Sequence, residues 1–388
     1  MELYKKRISD LGRIVTGKTP RTSNAENYGG KIPFLTPSDD LSGKFAPKTV
    51  KTITELGLSE VRNCLLPSKS VCVSCIGSDL GKVVITNEPT VSNQQFNSII
   101  PTEENDTDFI YYLMTIVGKE LNFLSKTSTA VPIINKSTFA DYEIEIPSLE
   151  NQRRIAKVLS SLDDKIEVNR RINDNLEQRG QALFEEYVMN LNKPRTQLLS
   201  DYALINPART IAKGRAARCI EMSSLPTKGT FPSDWTFKEY NGGMKFRNGD
   251  TIMARITPCL ENGKTAYINF LDENEVAFGS TEYIVLSAHE GFCSELLYFL
   301  ARYDDFVSYA VSHMNGSSGR QRVSGNDIAN YVMPEISNET MDVVSEKLHG
   351  IMEVIKNNSL ESRRLAEIRD ALLPRLMSGD FKLEEVNM

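Results

Sequence analysis

The chain has 388 residues, enough for two ordinary domains, and its 40% hydrophobic and 25% charged content is that of a globular protein rather than a disordered one. The formal net charge of −6 is spread almost evenly along the sequence, which excludes a protein that grips nucleic acid alone through a broad basic surface. No apolar run reaches membrane-spanning length and the polar start MELYKKRISDLGR lacks a signal-peptide core, so a cytoplasmic location is expected.

In chain order, the first notable segment is Gly12-Arg13-Ile14-Val15-Thr16-Gly17-Lys18-Thr19, a literal match to the phosphate-binding pattern GxxxxGK[ST]. Its context argues against a nucleotide hydrolase. KKRISDL precedes it where a buried apolar strand is needed, and Pro20 follows where a helix must begin. Next comes KSVCVSCIG (69–77), a strand-like run holding the single CxxC. A period of two sends Cys72 and Cys75 to opposite faces, which does not suit a zinc site. The other cysteines, Cys64, Cys219, Cys259 and Cys293, show no disulfide rhythm, as expected of reduced thiols. FIYYL (109–113) follows, and EIEIP closes the segment at Pro147.

A long helix is predicted over 149–190, with Ser148 as N-cap and Glu150 in its first turn. Steps of four and three give an apolar seam: Ile155, Leu159, Leu162, Ile166, Asn169, Asn173, Leu176, Gly180 and Leu183. The pattern then recurs. About 189 residues on, a second helix over 337–379 follows NYVMP and Ser337, with the seam Val344, Leu348, Ile351, Ile355, Asn358, Ser362, Leu365, Arg369 and Leu372. The seams turn polar together at Asn169 and Asn358, which is how coiled coils fix register. Between the helices the globular part echoes the first: ISDL (8–11) faces LSDY (199–202), KSVCVSCIG faces GDTIMARIT (249–257), and FIYYL faces LLYFL (296–300). The offset drifts in the globular parts and settles in the helices, as expected where loops vary on a held scaffold. The fold class is therefore α+β, two mixed domains separated by two long helices in a tandem repeat. The helical seams predict helix-to-helix packing, with each helix capping its own domain as the plainer alternative.

No catalytic arrangement can be built. His289, His313 and His349 are scattered, and Asn206-Pro207-Ala208 lacks the aromatic that base-modifying methyltransferase loops carry in such a motif. A coiled-coil adaptor without a DNA role stays open as an alternative, with a P-loop hydrolase behind it.

Four segments together resemble the specificity subunit of type I restriction-modification systems. LGRIVTGKTPRTSNAENYGGKIPFLTPSDDL (11–41) is similar to the opening of that family's target recognition domains, and CIGSDLGKV (75–83) to its recurring glycine-lysine strand. IPSLENQRRIAKVLSSLDDKIEVNRR (146–171) resembles its central conserved helix and LAEIRDALLPRLMSGDF (365–381) the distal one. The resemblance covers essentially the whole chain in the right order and places TGKTP within the family's own pattern. It implies target recognition domains at 1–147 and 191–335, conserved helices at 148–190 and 336–380 pairing as an antiparallel coiled coil, and a tail at 381–388. It further implies a non-catalytic subunit whose domains each read one half of a bipartite DNA target, while the helices set the spacer and dock two methyltransferase subunits. No cofactor or metal is expected in this chain. S-adenosylmethionine would belong to the methyltransferase subunit, and ATP with magnesium to a restriction subunit.

Cations and amides in turn-rich loops are then the expected DNA contacts: Lys18, Arg21, Lys31 and Lys136 in the first domain, and Arg209, Arg215, Arg218, Arg320, Gln321 and Arg322 in the second. Arg320-Gln321-Arg322 is favoured, because Arg and Gln are the usual bidentate readers of guanine and adenine.

Overall fold

The structure, a computed structural model, describes residues 1–77, 79–125, 133–190, 195–317 and 319–379; the expected tail at 381–388 lies outside the described residues. It divides into two compact units, one of residues 1–165 with 364–388 and one of residues 166–363.

In the first unit a four-stranded sheet has the order Gly12–Thr16, Phe96–Pro101, Val71–Ser74, Val83–Ile85. A second sheet runs Lys51–Ile53, Tyr28–Leu35, Thr90–Ser92, Leu65–Leu66. The N-terminal strand Tyr4–Arg7 pairs antiparallel with the proline-ended strand Glu143–Ile146. The second unit repeats this topology. Its sheets are ordered Ala203–Ile205, Tyr283–Ala288, Asp250–Ala254, Thr265–Tyr267 and Thr236–Glu239, Ala216–Ile220, Ala277–Gly279, Lys245–Phe246. Thr196–Leu198 pairs antiparallel with Val332–Pro334. The faint ISDL–LSDY echo has a physical cause. In both copies the strand turns into a short helical segment whose aspartate accepts the backbone N–H three residues back, Asp10 from Arg7 at 2.7 Å and Asp201 from Leu198 at 3.0 Å.

Residues 12–16, the core of the apparent phosphate loop, are a strand paired with Phe96–Pro101. Loop geometry for a phosphate is therefore absent there. Cys72 and Cys75 do point to opposite faces and enter different apolar clusters, Cys72 with Val15, Leu35 and Phe96, Cys75 with Leu80 and Val83. Burial pushes their thiols up to about 12 and about 11, so neither is a ready thiolate ligand. Among the described residues no cluster of His, Cys, Asp or Glu could hold a metal ion, and no helix is long and apolar enough to cross a membrane.

The first long helix runs Leu149–Phe184 and continues as one π turn, Glu185–Met189; the second runs Asn338–Ser378. Ser337 caps the second through Oγ, which accepts from Thr340 N at 3.1 Å. At the first, the buried Gln152 amide donates to Pro147 O and accepts from Asp106 N, tying the first turn to the domain. Every predicted seam position is buried or half-buried. The seam serves both readings at once. Ile155 and Leu159 are fully buried in the first unit's core beside Phe109 and Tyr112, and Val344 and Leu348 lie in the second's beside Phe299.

Farther along, the helices meet each other. In the second unit Asn169 Nδ2 donates to Glu361 Oε2 at 2.7 Å and Ser362 Oγ at 3.3 Å, Asn173 Nδ2 to Ser359 Oγ at 3.2 Å, and Lys347 Nζ to Tyr187 OH at 3.1 Å. As one number rises the other falls, so the helices run antiparallel. The first unit shows the same sense: Asp163 pairs with Arg369 at 2.6 Å, while Ile155 and Leu159 share a core with Leu373, Leu376 and Met377.

Gly180, a glycine in mid-helix, has a packing reason. A Cβ there would stand 2.2 Å from Phe299 Cζ, and that ring is fully buried and has nowhere to go. Gly180→Val is predicted to destabilise the second unit by about 2 kcal/mol or more through overpacking and lost helix propensity. Chemical denaturation of the variant checks this, and unchanged stability would mean that the helix does not approach Phe299.

Candidate nucleic-acid interface

The expected DNA contacts separate into two groups once their surroundings are seen. In the first unit, Lys18, Arg21, Lys31 and Lys136 are all exposed. Three of them gather. Lys18 and Lys136 both bear electrostatically on the Cys64 thiol, which burial nonetheless raises, and Lys18 and Arg21 both bear on Glu60. The Glu60 carboxyl is held below its ordinary range chiefly by the Arg21 backbone N–H, which donates to Oε2 at 2.9 Å. Lys31 stands on the strand Tyr28–Leu35.

In the second unit, Arg209 and Arg218 are corrections to the sequence reading. Arg209 places Nη2 2.7 Å from both oxygens of Asp250 and 3.0 Å from Ser287 Oγ, with its side chain 10% exposed and that of Asp250 1%. It neutralises a carboxylate inside the sheet and is not available to a phosphate. Arg218 bridges Asp272 and Glu275 at 3.2 Å each, its side chain 11% exposed and flanked by the rings of Trp235, Phe237 and Phe270. Arg322 is spent on structure as well: Nε and Nη2 grip the Glu282 carboxylate at 2.7–3.0 Å and Nη1 donates to Arg320 O. The grip holds the Glu282 carboxyl below its ordinary range. Asn206 is also structural: in left-handed backbone (φ 55), it accepts from Val285 N through Oδ1, extending the sheet.

Arg215, Arg320 and Gln321 remain outward. Arg215 and Arg320 are exposed, and Gln321 is half-buried with its backbone tied to Thr257. Arg322 thus serves as the buttress that presents its two neighbours.

The two units share one loop geometry here. In the first, Cys75 N donates to Gln95 O and Ile134 N to Cys75 O; in the second, Arg255 N donates to Glu282 O and Val323 N to Arg255 O. Isolated bridges Ile76–Ile133 and Ile256–Arg322 complete the correspondence. The matching backbone carries different side chains: Gln95 and Ile133 in one, Glu282 and Arg322 in the other. Beside the second unit's turn an open cleft of about 560 Å³ is lined by Glu221, Lys238, Phe278 and Ser280 among others. Sequence reasoning passed over Asn93-Gln94-Gln95, three successive amides between two strands. That run was the available signal.

A family model described as the type I restriction modification DNA specificity domain matches residues 2–178. The chain is 27% identical over 435 aligned positions to the type I restriction enzyme MjaIX specificity subunit of Methanocaldococcus jannaschii, covering 98% of this chain and 94% of that one. It is 36% identical over 176 positions to the HindI specificity subunit of Haemophilus influenzae, covering 44% of this chain and 38% of that one. Together these comparisons indicate a type I restriction-modification specificity subunit. Its fold agrees with the solved type I S subunit from M. genitalium, at a TM-score of 0.57 and 16% identity over 97% of this chain and 96% of that one. A specificity subunit recognises DNA and carries no catalytic residues of its own, so the adaptor and hydrolase readings fall away.

For this specificity subunit, Arg209 and Arg320 are predicted to behave oppositely. Arg209→Ala leaves Asp250 buried and unpaired, which costs about 3–5 kcal/mol near neutral pH. Burial already raises the Asp250 carboxyl, and without Arg209 it rises further, so the deficit shrinks as the pH falls and the carboxyl takes up a proton in the fold. Arg320→Ala leaves the melting temperature unchanged. Thermal melts of both variants from pH 4 to 8 check the contrast.

Proposed function

We propose that each unit reads one half of a bipartite DNA target, and that the paired helices fix the unread spacer between the halves while docking two methyltransferase subunits. One observation carries this reading: the same strand order and loop bonding occur twice, with different side chains at matching positions. Two readers of different half-sites need this arrangement, a shared scaffold for position and local chemistry for sequence. Lys18, Arg21, Lys31, Lys136 and Arg215 supply phosphate contacts, and Arg320 with Gln321 reach base edges. The modest overall negative charge fits a reader whose partners contribute further phosphate contacts.

S-adenosylmethionine is bound by the methyltransferase subunits, and ATP with magnesium by restriction subunits where these join. The complex works in the cytoplasm, where its DNA lies.

The test is methylome sequencing of a strain carrying the partner methyltransferase gene, with and without the gene for this chain. Loss of one bipartite adenine-methylation motif on deletion is expected, and an unchanged methylome would contradict the proposal. Within the motif-forming strain, Arg320→Ala is predicted to relax one position of one half about tenfold or more, the other half keeping its sequence.

A further inference from the structure

The TGKT segment, left over once the phosphate-loop reading fails, has its own structural task. Gly17 N donates to Phe96 O at 3.0 Å and Lys18 N to Ser92 O at 2.9 Å, so residues 17–19 lie directly on the turn Asn93-Gln94-Gln95. A Cβ on Gly17 would stand 2.1 Å from Asn93 O, so only glycine permits this approach. The approach brings Thr19 to Gln94: Thr19 Oγ1 donates to Gln94 Oε1 at 2.7 Å. Gln95 is anchored in the same manner, its Oε1 accepting from Asn93 Nδ2 at 2.8 Å while its backbone N donates to Asn93 Oδ1 at 3.0 Å. A Cβ built on Gly77, which sits at φ +86, would stand 3.9 Å from Gln95 Nε2.

We infer that Gln94 and Gln95 are base-reading residues of the first unit and that each reads an adenine in its half of the target. The inference rests on the reading of this chain as a DNA-recognition subunit. Each amide has its carbonyl oxygen fixed by one donor, which leaves a second lone pair on that oxygen and the NH₂ group to be used. That acceptor-plus-donor pair is the complement of adenine N6–H and N7, and a side chain oriented before binding loses little freedom on doing so. The flanking Lys18 is exposed and suited to a phosphate.

The second unit supplies the contrast. At the same turn Ser280 Oγ accepts from Glu282 N at 3.0 Å, as Asn93 Oδ1 does from Gln95 N. Glu282 then stands where Gln95 stands, but Arg322 holds its carboxylate. The turn that reads in the first unit is a buttress in the second.

The experiment is motif determination by methylome sequencing of cells making the partner methyltransferase with the full-length wild-type chain, Gln94→Ala, Gln95→Ala, the double variant, or Thr19→Val. Expected is relaxation of one adenine-containing position by about tenfold or more for each single variant and of both for the double variant, all in a single half-site, with the other half intact. Thr19→Val, which only loosens Gln94, should relax the position that Gln94→Ala relaxes, but less. The double variant yielding the wild-type motif at every position overturns the inference, as does a uniform loss across both halves with an unchanged melting temperature. A wild-type chain that produces no bipartite motif overturns the DNA-recognition reading itself, a result distinguishable from these.

Discussion

Two long helices that share one seam pattern lie against each other in opposite directions, and each unit builds part of its core on that pairing. The polar stretch of the seam shows how the match is made. Asn169 donates to Ser362, and Asn358 donates to Asn173 Oδ1 at 2.9 Å. Adding 189 to the first member of one pair gives the first member of the other, and the second members are related in reverse. The contact is thus isologous, as in a two-fold dimer, although both helices belong to one chain. A stretch of apolar residues at this place would tolerate sliding by a turn. Amides that must find one another do not, and that specificity is retained even though Asn169 Oδ1 stays buried without a partner.

Elsewhere the two units use opposed chemistry at corresponding points. Tyr112 donates to Asp163, and Arg369 closes the group on the other carboxylate oxygen at 2.6 Å. The corresponding residues in the second unit are Phe299, Met352 and Gly180: an apolar ring, an apolar chain and a glycine that makes room. Each set is self-consistent. A buried carboxylate is tolerated because both a hydroxyl and a guanidinium meet it, and a buried ring because nothing polar does. Duplication supplied the geometry, and divergence changed which forces hold it.

Much of this was legible in the residues. The seams, the Ser337 cap and the proline-ended strands obey local rules of period and capping, and the opposed faces of Cys72 and Cys75 follow from strand alternation alone. What escaped is long-range pairing. Arg209 looks like any loop cation until Asp250, 41 residues on, is placed beside it; Arg218 and Arg322 likewise meet acids 54 and 40 residues away. Net charge and spacing say nothing about such partners, so three of the expected DNA contacts turn out to be held in ion pairs, with the side chains of Arg209 and Arg218 only 10% and 11% exposed. Gln94 and Gln95 escaped for the opposite reason: uncharged amides in a turn draw no notice until Thr19 and Asn93 are seen to hold them.

The central claim, that the two long helices pair antiparallel in one register, is tested most directly by a cross-link. Asn173 and Ser359 touch across the seam at 3.2 Å. In the full-length chain carrying Asn173→Cys with Ser359→Cys, mild oxidation should give one disulfide joining the two helix peptides, identified by mass spectrometry, with each single variant as control. A folded double variant whose two peptides never become linked would contradict the account.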